Sequence, residues 1–507
     1  MKRIFAILIT ICLLAGALSI STSAALLSEL DAVPVGAVLR VSALKKTASG
    51  KLETQVLKDF VSFQDGWNYA MEIAGDEDEM DDNEYERIVV DIYTDWTADS
   101  SGDFTKEIWN GDGFDNDTIF VPADAKVTLN LNGHTIDRGL TDDIDDGEVM
   151  FIKDDADIII NNGTIKGGFS NSDGGGLYIE GAKVTLNNVN ITDNTVEDDY
   201  GAGIAAYGGT TLIINGGSIS DNHISREYLD EFCGGAIYIE DSTAILTGVT
   251  IKGNAYDNPD LYWLFGAAIY SDNSSITMTD CTVQENGLAE YDGVAHGNVH
   301  SIIYAKDSKV EIENTDFIDN GHKKIKRIGS GQYQSNPIAN VLISVPDSEL
   351  TLTGGTFTGN EMVFLCSFSD STACVEGVDF TDNDAFVLFA NNDPSTPSVF
   401  TNCKFGAGTS TTKYFEFDFD FRTNESGVVF EDCTFNKSTF SDKGAATFFG
   451  GNVSNTAASI FGEGSLTTII AFIALIASIA SIVVNVCNSN KTKKLVLVGT
   501  NETKEDN

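Results

Sequence analysis

The residues best suited to chemistry are aromatic side chains that recur in one kind of place. Tyr228, Phe232, Tyr256, Tyr262, Trp263, Tyr291 and Tyr333 all lie in segments of variable length that follow a repeated asparagine. Rings set among carboxylates and amides suit sugar recognition, because apolar C–H faces stack on rings while hydroxyls meet polar groups. Each ring taken singly has a plainer use, which is to fold back and cover a sheet. The run His322-Lys323-Lys324-Ile325-Lys326-Arg327 is a basic cluster in an acidic region. It suits an acidic polysaccharide, or simply neutralises the local field.

Metal and cofactor chemistry finds less support. Asp76 to Glu86 holds eight acids in eleven residues, and Asp142 to Glu148 is similar. Neither completes the spaced-Asp, central-Gly, terminal-Glu pattern of a calcium loop, so solvated acidic loops are expected, with weak Ca²⁺ binding as the alternative. The five His are scattered and no Cys–His spacing suggests zinc. No catalytic residue, cofactor or metal ligand is assigned.

The elements that must position the rings are repeats. One phrase runs Ile191-Thr192-Asp193-Asn194, Ile219-Ser220-Asp221-Asn222, Ile251-Lys252-Gly253-Asn254 and Val283-Gln284-Glu285-Asn286. It continues through Phe317, Phe357 and Phe380 to Asn320, Asn360 and Asn383, with Asn-to-Asn steps of 23 to 40 residues. A second phrase precedes it: Gly175-Gly176-Leu177-Tyr178, Gly201-Ala202-Gly203-Ile204, Gly234-Gly235-Ala236-Ile237 and Gly266-Ala267-Ala268-Ile269. Between them lie strands of period-two alternation, such as Lys309-Val310-Glu311-Ile312. Three short strands per unit with Gly/Asn/Asp corners predict an all-β fold, a single-stranded right-handed parallel β-helix. Its coils stack at about 4.8 Å, so Asn194, Asn222, Asn254, Asn286, Asn320, Asn360 and Asn383 become a corner ladder. The column Val189, Gly217, Val249, Cys281, Thr315, Gly355, Val378, Cys403 and Cys433 reads as one inward stack. Cys403 and Cys433 come close enough there to be bridged, and a free thiol stack is the reading taken. Stacked corners send every variable segment out along one edge, making a contiguous surface about 25 Å long.

Composition bounds the partners. With 31 Lys+Arg against 76 Asp+Glu the net charge is −45, a field that repels phosphate backbones and excludes nucleic acid. Met1-Lys2-Arg3, an apolar run and a small-residue exit read as a signal peptide over residues 1–24. Residues 25–119 read as an N-terminal cap and leading coils, with a short amphipathic helix from Asp65 to Ala74 covering the open end. Residues 120–440 form the β-helix, and 441–465, rich in Gly, Ser and Asn, a flexible stalk. Residues 466–486 carry no ionisable group and predict one transmembrane helix, with the Lys-containing tail 487–507 in the cytoplasm.

The Gly-Gly-Ala and Phe-x-x-Asn phrases resemble the repeats of the polymorphic outer-membrane-protein family, and the whole pattern is similar to the pectin-lyase-like β-helix superfamily. The resemblance covers about residues 120–440. It implies the fold more than an activity. The single apolar helix here replaces that family's export barrel, so self-export does not carry over. Lyases and hydrolases of the superfamily place carboxylates and a basic residue across several coils. Asn314-Thr315-Asp316, Gly321-His322 and Arg327-Ile328 resemble fragments of the polygalacturonase signature but crowd into one stretch, so they define no site. The expectation is a single-pass cell-surface protein, adhesive or carbohydrate-binding through its stacked corner loops, with extracellular glycans or host or neighbouring surface molecules as partners. A tethered polysaccharide lyase or glycoside hydrolase and a passive spacer are the alternatives.

Overall fold

The computed structural model describes residues 34–98, 118–141, 147–197, 199–225, 232–256, 264–288, 299–321, 339–380, 383–391, 398–405 and 428–435. One coil defines the architecture. Leu177–Glu180 lies on an aromatic sheet, Lys183–Thr192 on a long sheet and Thr195–Val196 on a short sheet, after which the chain rises one rung to Ile204–Tyr207. Register is strict and parallel. Leu177 lies beside Ile204, Val184 beside Leu212 and Thr195 beside His223. The core is the lumen of this winding, filled by Ile, Leu and Val that stack on their own kind, such as Ile158, Val184, Leu212 and Ala244.

Left-handed residues make the corners. Along the ten-residue strand Lys183–Thr192, Val184 and Leu186 face inward, then Val189 and Ile191. Asn188 (φ 52°) absorbs the missing residue of phase, as Asn162 and Asn132 do in the coils before it. Asn and Asp tolerate this region because a short polar side chain bonds locally. A further left-handed residue precedes each ladder Asn from Asn194 to Asn360: Asp193, Asp221, Gly253, Glu285, Asp319 and Gly359. A third starts the long sheet at Asp241, Asn273, Asp307, Asp347 and Asp370.

Two buried ladders hold those corners in register. Asn222 donates Nδ2 to Asn254 Oδ1 (2.9 Å) and its backbone N–H to the same oxygen (3.1 Å). Asn254 repeats both bonds onto Asn286, and its Nδ2 also reaches back to the Ile219 carbonyl (2.9 Å). The chain of amides runs unbroken from Asn194 to Asn383, and every member is buried. Two donors and two lone pairs are thus all used, which is what makes a buried amide affordable. The second ladder is made of hydroxyls. Thr210, Ser242, Ser274 and Ser308 each donate a backbone N–H to the Oγ of the next coil's serine, ending on Ser348 and Ser371. A third, half-exposed series links Asn130, Asn161, Asn187 and Asn215 on the outside of the long sheet.

The N-terminal end is closed by a different device. Strands β1 (Leu39–Lys46), β2 (Leu52–Phe60) and β3 (Tyr85–Ile92) pair antiparallel, and β3 then pairs parallel with Lys126–Asn130 of the first coil. Helix α1 (Phe63–Ala74) starts two residues before the expected Asp65, because Ser62 caps it by accepting the Asp65 N–H (3.2 Å). It buries Phe63, Trp67, Ala70 and Met71, and the Trp67 indole donates to the Phe120 carbonyl (3.0 Å), roofing the first rung. The acidic run after it is no loop, contrary to expectation. Asp76 caps helix α2 (Glu77–Asp82) by accepting the Glu79 N–H (3.0 Å), and three acids sit in its first turn where the dipole favours them.

Among the described residues no helix is long and apolar enough to cross a membrane. The expected signal peptide, stalk, transmembrane segment 466–486 and tail all lie outside the described residues.

Removing one rung of the amide ladder tests its weight. Asn254→Ala strands the Asn222 N–H, the Asn222 amide and the Ile219 carbonyl. At about 1–3 kcal/mol for each buried group left unpaired, the loss should be roughly 3–9 kcal/mol in urea unfolding. Ser242→Ala strands the Thr210 N–H, removes one donor from the Glu240 carbonyl, and should lose about 1–3 kcal/mol. Equal losses for the two would sink the ladder's primacy.

Candidate functional site

The variable segments do leave one edge. The short-sheet strands Thr195–Val196, His223–Ile224, Ala255–Tyr256 and Gly287–Leu288 stack in register, and the chain departs after each. It returns on strands that also stack, Phe232 beside Leu264 and Leu264 beside Val299. The re-entry is a glycine corner. At Gly266 (φ 66°) an added Cβ would collide with the Ile269 carbonyl, so the turn onto the aromatic sheet needs glycine.

The sequence-predicted rings distribute unevenly. Tyr228, Tyr262, Trp263, Tyr291 and Tyr333 lie outside the described residues, as does the basic run His322 to Arg327. Phe232 is on a described strand. Tyr256 is a correction. It is fully buried, inward on the short sheet, and its hydroxyl donates to the Phe265 carbonyl (3.0 Å). Ile224 is its rung neighbour in the lumen, so position two of this strand is a core position and Tyr256 cannot face a groove.

A different set of rings stands beside the edge. On the outer face of the aromatic sheet, Phe120, Phe151, Tyr178, Tyr207, Tyr238, Tyr270 and Tyr304 make one continuous row, with successive centroids 4.9–5.7 Å apart. Ala205 holds the rung between Tyr178 and Tyr238, and Tyr207 from two residues along fills the space above it. Tyr200 and Phe265 each come just before a re-entry glycine; Tyr200 stacks on Tyr238 and Phe265 packs against Tyr304 at a 59° tilt (both 4.7 Å), tying the row to the loop edge. Tyr238 and Tyr270 are parallel within 2°. Their faces cover each other, as those of Tyr270 and Tyr304 nearly do (16°), so this stretch of the row presents ring edges outward rather than open faces. The signal for it was in the second repeat phrase. Tyr178, Tyr238, Tyr270 and Tyr304 each follow an inward Leu or Ile by one, which period two turns outward.

A carboxyl lies where this row meets the edge. Asp173 Oδ1 accepts the Tyr200 N–H (2.9 Å). Burial, followed by the charges of Asp199 and Glu240, pushes it up to about 6 despite that bond. The Tyr207 hydroxyl is buried, faces Asp173, and has no partner of good hydrogen-bond geometry; burial and that carboxylate hold it far above the ordinary phenol range. Tyr178 is pushed up to about 12, by burial and by Glu180. Glu240 accepts the Tyr238 hydroxyl (2.9 Å). The arrangement offers phenol donors, carboxylate acceptors and one acid that titrates near neutrality. Among the described residues no group of three or more His, Cys, Asp or Glu is placed to hold a metal ion.

Comparison with known proteins agrees with the winding. Residues 128–300 match the family model described as a right-handed β-helix region. No curated protein and no solved structure matches the chain. The chain therefore carries a right-handed parallel β-helix region.

Asp173 gives a signed pH dependence. Its folded value of about 6 lies above the unfolded 3.8, so the native state holds the proton longer. Stability from this group is complete below about pH 4 and is lost as pH rises to about 6, by up to about 3 kcal/mol. Asp173→Asn should flatten that slope in thermal melts and melt higher than the parent at pH 7. A variant with the parent's slope would show that Asp173 is not the group responsible.

Proposed function

We propose that this chain is a cell-surface β-helix protein that binds an extended glycan lying along its axis, over the tyrosine row and the loop edge beside it. The observation that carries the reading is the coincidence of three features on one side: a repeated exit of loops, a row of hydroxyl-bearing rings, and carboxylates at the same rungs. A polymer of hydroxyls repeating at a few ångströms meets donors and acceptors repeating at about 4.8 Å. The signal-like residues 1–24, the apolar stretch 466–486 and the likeness of the repeat phrases to polymorphic outer-membrane proteins support display at the membrane. The net charge of −45 favours neutral polymers over acidic ones, except near the basic run 322–327.

A glycan array probed with the full chain and with the Tyr270→Phe/Tyr304→Phe variant tests this. Loss of two hydroxyls at roughly 1 kcal/mol each should weaken binding at least tenfold while the ring stack and melting temperature stay unchanged. No bound glycan, or binding untouched by the variant, removes the reading.

One observation favours a second reading. A carboxyl held near 6 among other carboxylates is suited to general-acid cleavage of a glycosidic bond. Reducing ends released from a bound polymer, with activity that falls as pH rises through about 6 and is lost in Asp173→Asn, would establish a hydrolase. Binding without release would leave a lectin-like module, and neither would leave a spacer.

A further inference from the structure

The asparagine repeat does not continue into the C-terminal units of the sequence. Among the described residues the last amide-to-amide bond of the series joins Asn360 to Asn383, and three residues after Phe405 and Phe435 stand Gly408 and Ser438 where earlier units have asparagine. The hydroxyl series makes its final described bond from the Ala373 N–H to Ser398 Oγ (3.0 Å). In the same two coils the inward column becomes cysteine. Thr401 pairs with Glu431 and Lys404 with Thr434, which places Cys403 directly beside Cys433 on adjacent rungs. Both are buried, at 1% and 3% exposure. Both point into the lumen, where Cys403 Sγ donates to the Val375 and Thr401 carbonyls (3.6 and 3.5 Å) and Cys433 Sγ to those of Phe400 and Glu431 (both 3.4 Å).

We propose that Cys403 and Cys433 are a disulfide-forming site, a covalent rung that fastens the last two described coils where the amide ladder has stopped. Strands one rung apart have Cα atoms about 4.8 Å from each other, inside the range a disulfide spans. The column matters as well as the distance. Two inward side chains at one register position share a direction, and the lumen excludes competing thiols from solution. The oxidant is a small-molecule disulfide. One cysteine thiolate attacks it, forming a mixed disulfide and releasing one thiol; the second thiolate then attacks the protein sulfur and releases the other thiol. Two protein S–H bonds are lost, one S–S bond forms, and the reagent leaves as two thiols. The competing partner is Cys366, which is buried in the lumen from the aromatic-sheet strand Glu361–Ser369.

The test uses the full chain refolded with oxidised glutathione, then alkylated in denaturant and digested without reductant. The expected result is a peptide pair joining Cys403 to Cys433, about 2 Da lighter than the two thiol peptides combined. Limited proteolysis of the coils around residues 398–435 should be at least tenfold slower in the oxidised chain, and dithiothreitol should reverse this. Cys403→Ser/Cys433→Ser should abolish the difference, whereas Cys281→Ser should preserve it. Full alkylation of both cysteines after refolding with the oxidant would overturn the proposal. So would a bridge from either one to Cys366.

Discussion

The buried asparagine ladder is the constraint on which the other features depend. A side-chain amide that accepts twice and donates twice has no slack. Shifting one coil by a single residue would break four bonds at that corner and turn every inward residue of the strand outward. Hydrophobic stacking alone does not give that precision, because Ile on Val or Leu on Ala is nearly indifferent to a small slide. The amides set the register, and the apolar column fills the space so defined. The hydroxyl ladder repeats the arrangement at the start of the long sheet, with a backbone N–H to serine Oγ bond at each rung.

Fixing the corners frees what lies between them. Segments after the short-sheet strands range from the few residues between Val196 and Gly201 to the long stretch after Gly321, yet Ile204, Ile237, Ile269 and Ile303 remain in register. Length can vary there because both ends of each segment are held by the stack rather than by the segment. The same geometry explains why the tyrosine row is continuous although one rung supplies alanine. Neighbouring rungs are near enough for Tyr207 to reach across from two residues along.

Much of the winding was legible in the sequence, because it is written as repetition. The Asn phrase, the Gly-rich phrase and the alternation between them are local signals, and stacking multiplies each of them. The hydroxyl ladder was equally visible as Asp241-Ser242, Asn273-Ser274, Asp307-Ser308, Asp347-Ser348 and Asp370-Ser371. It went unread because serine after aspartate looks like ordinary turn composition. Tyr256 was misjudged for a related reason. It follows the ladder asparagine by two, inside a strand too short to show alternation, so its inward direction came only from its neighbours Ile224 and Leu288 in register. The raised acidity constant of Asp173 was beyond reach altogether. It arises from burial and from the charges of Asp199 and Glu240, working against the Tyr200 N–H bond, and successive coils bring these groups together.

Each ladder amide turns its oxygen toward the preceding coil and its nitrogen toward the following one. The bond dipoles therefore line up head to tail along the axis, much as peptide dipoles do in an α-helix. The first oxygen of the series, on Asn194, is met by the Gly168 backbone N–H (3.1 Å), so the negative end is neutralised. At the other end the Asn383 amide nitrogen donates to the Phe357 carbonyl. The solenoid is thus electrically vectorial: a coil inserted in reverse would meet like poles, and new units can be accommodated in one sense only.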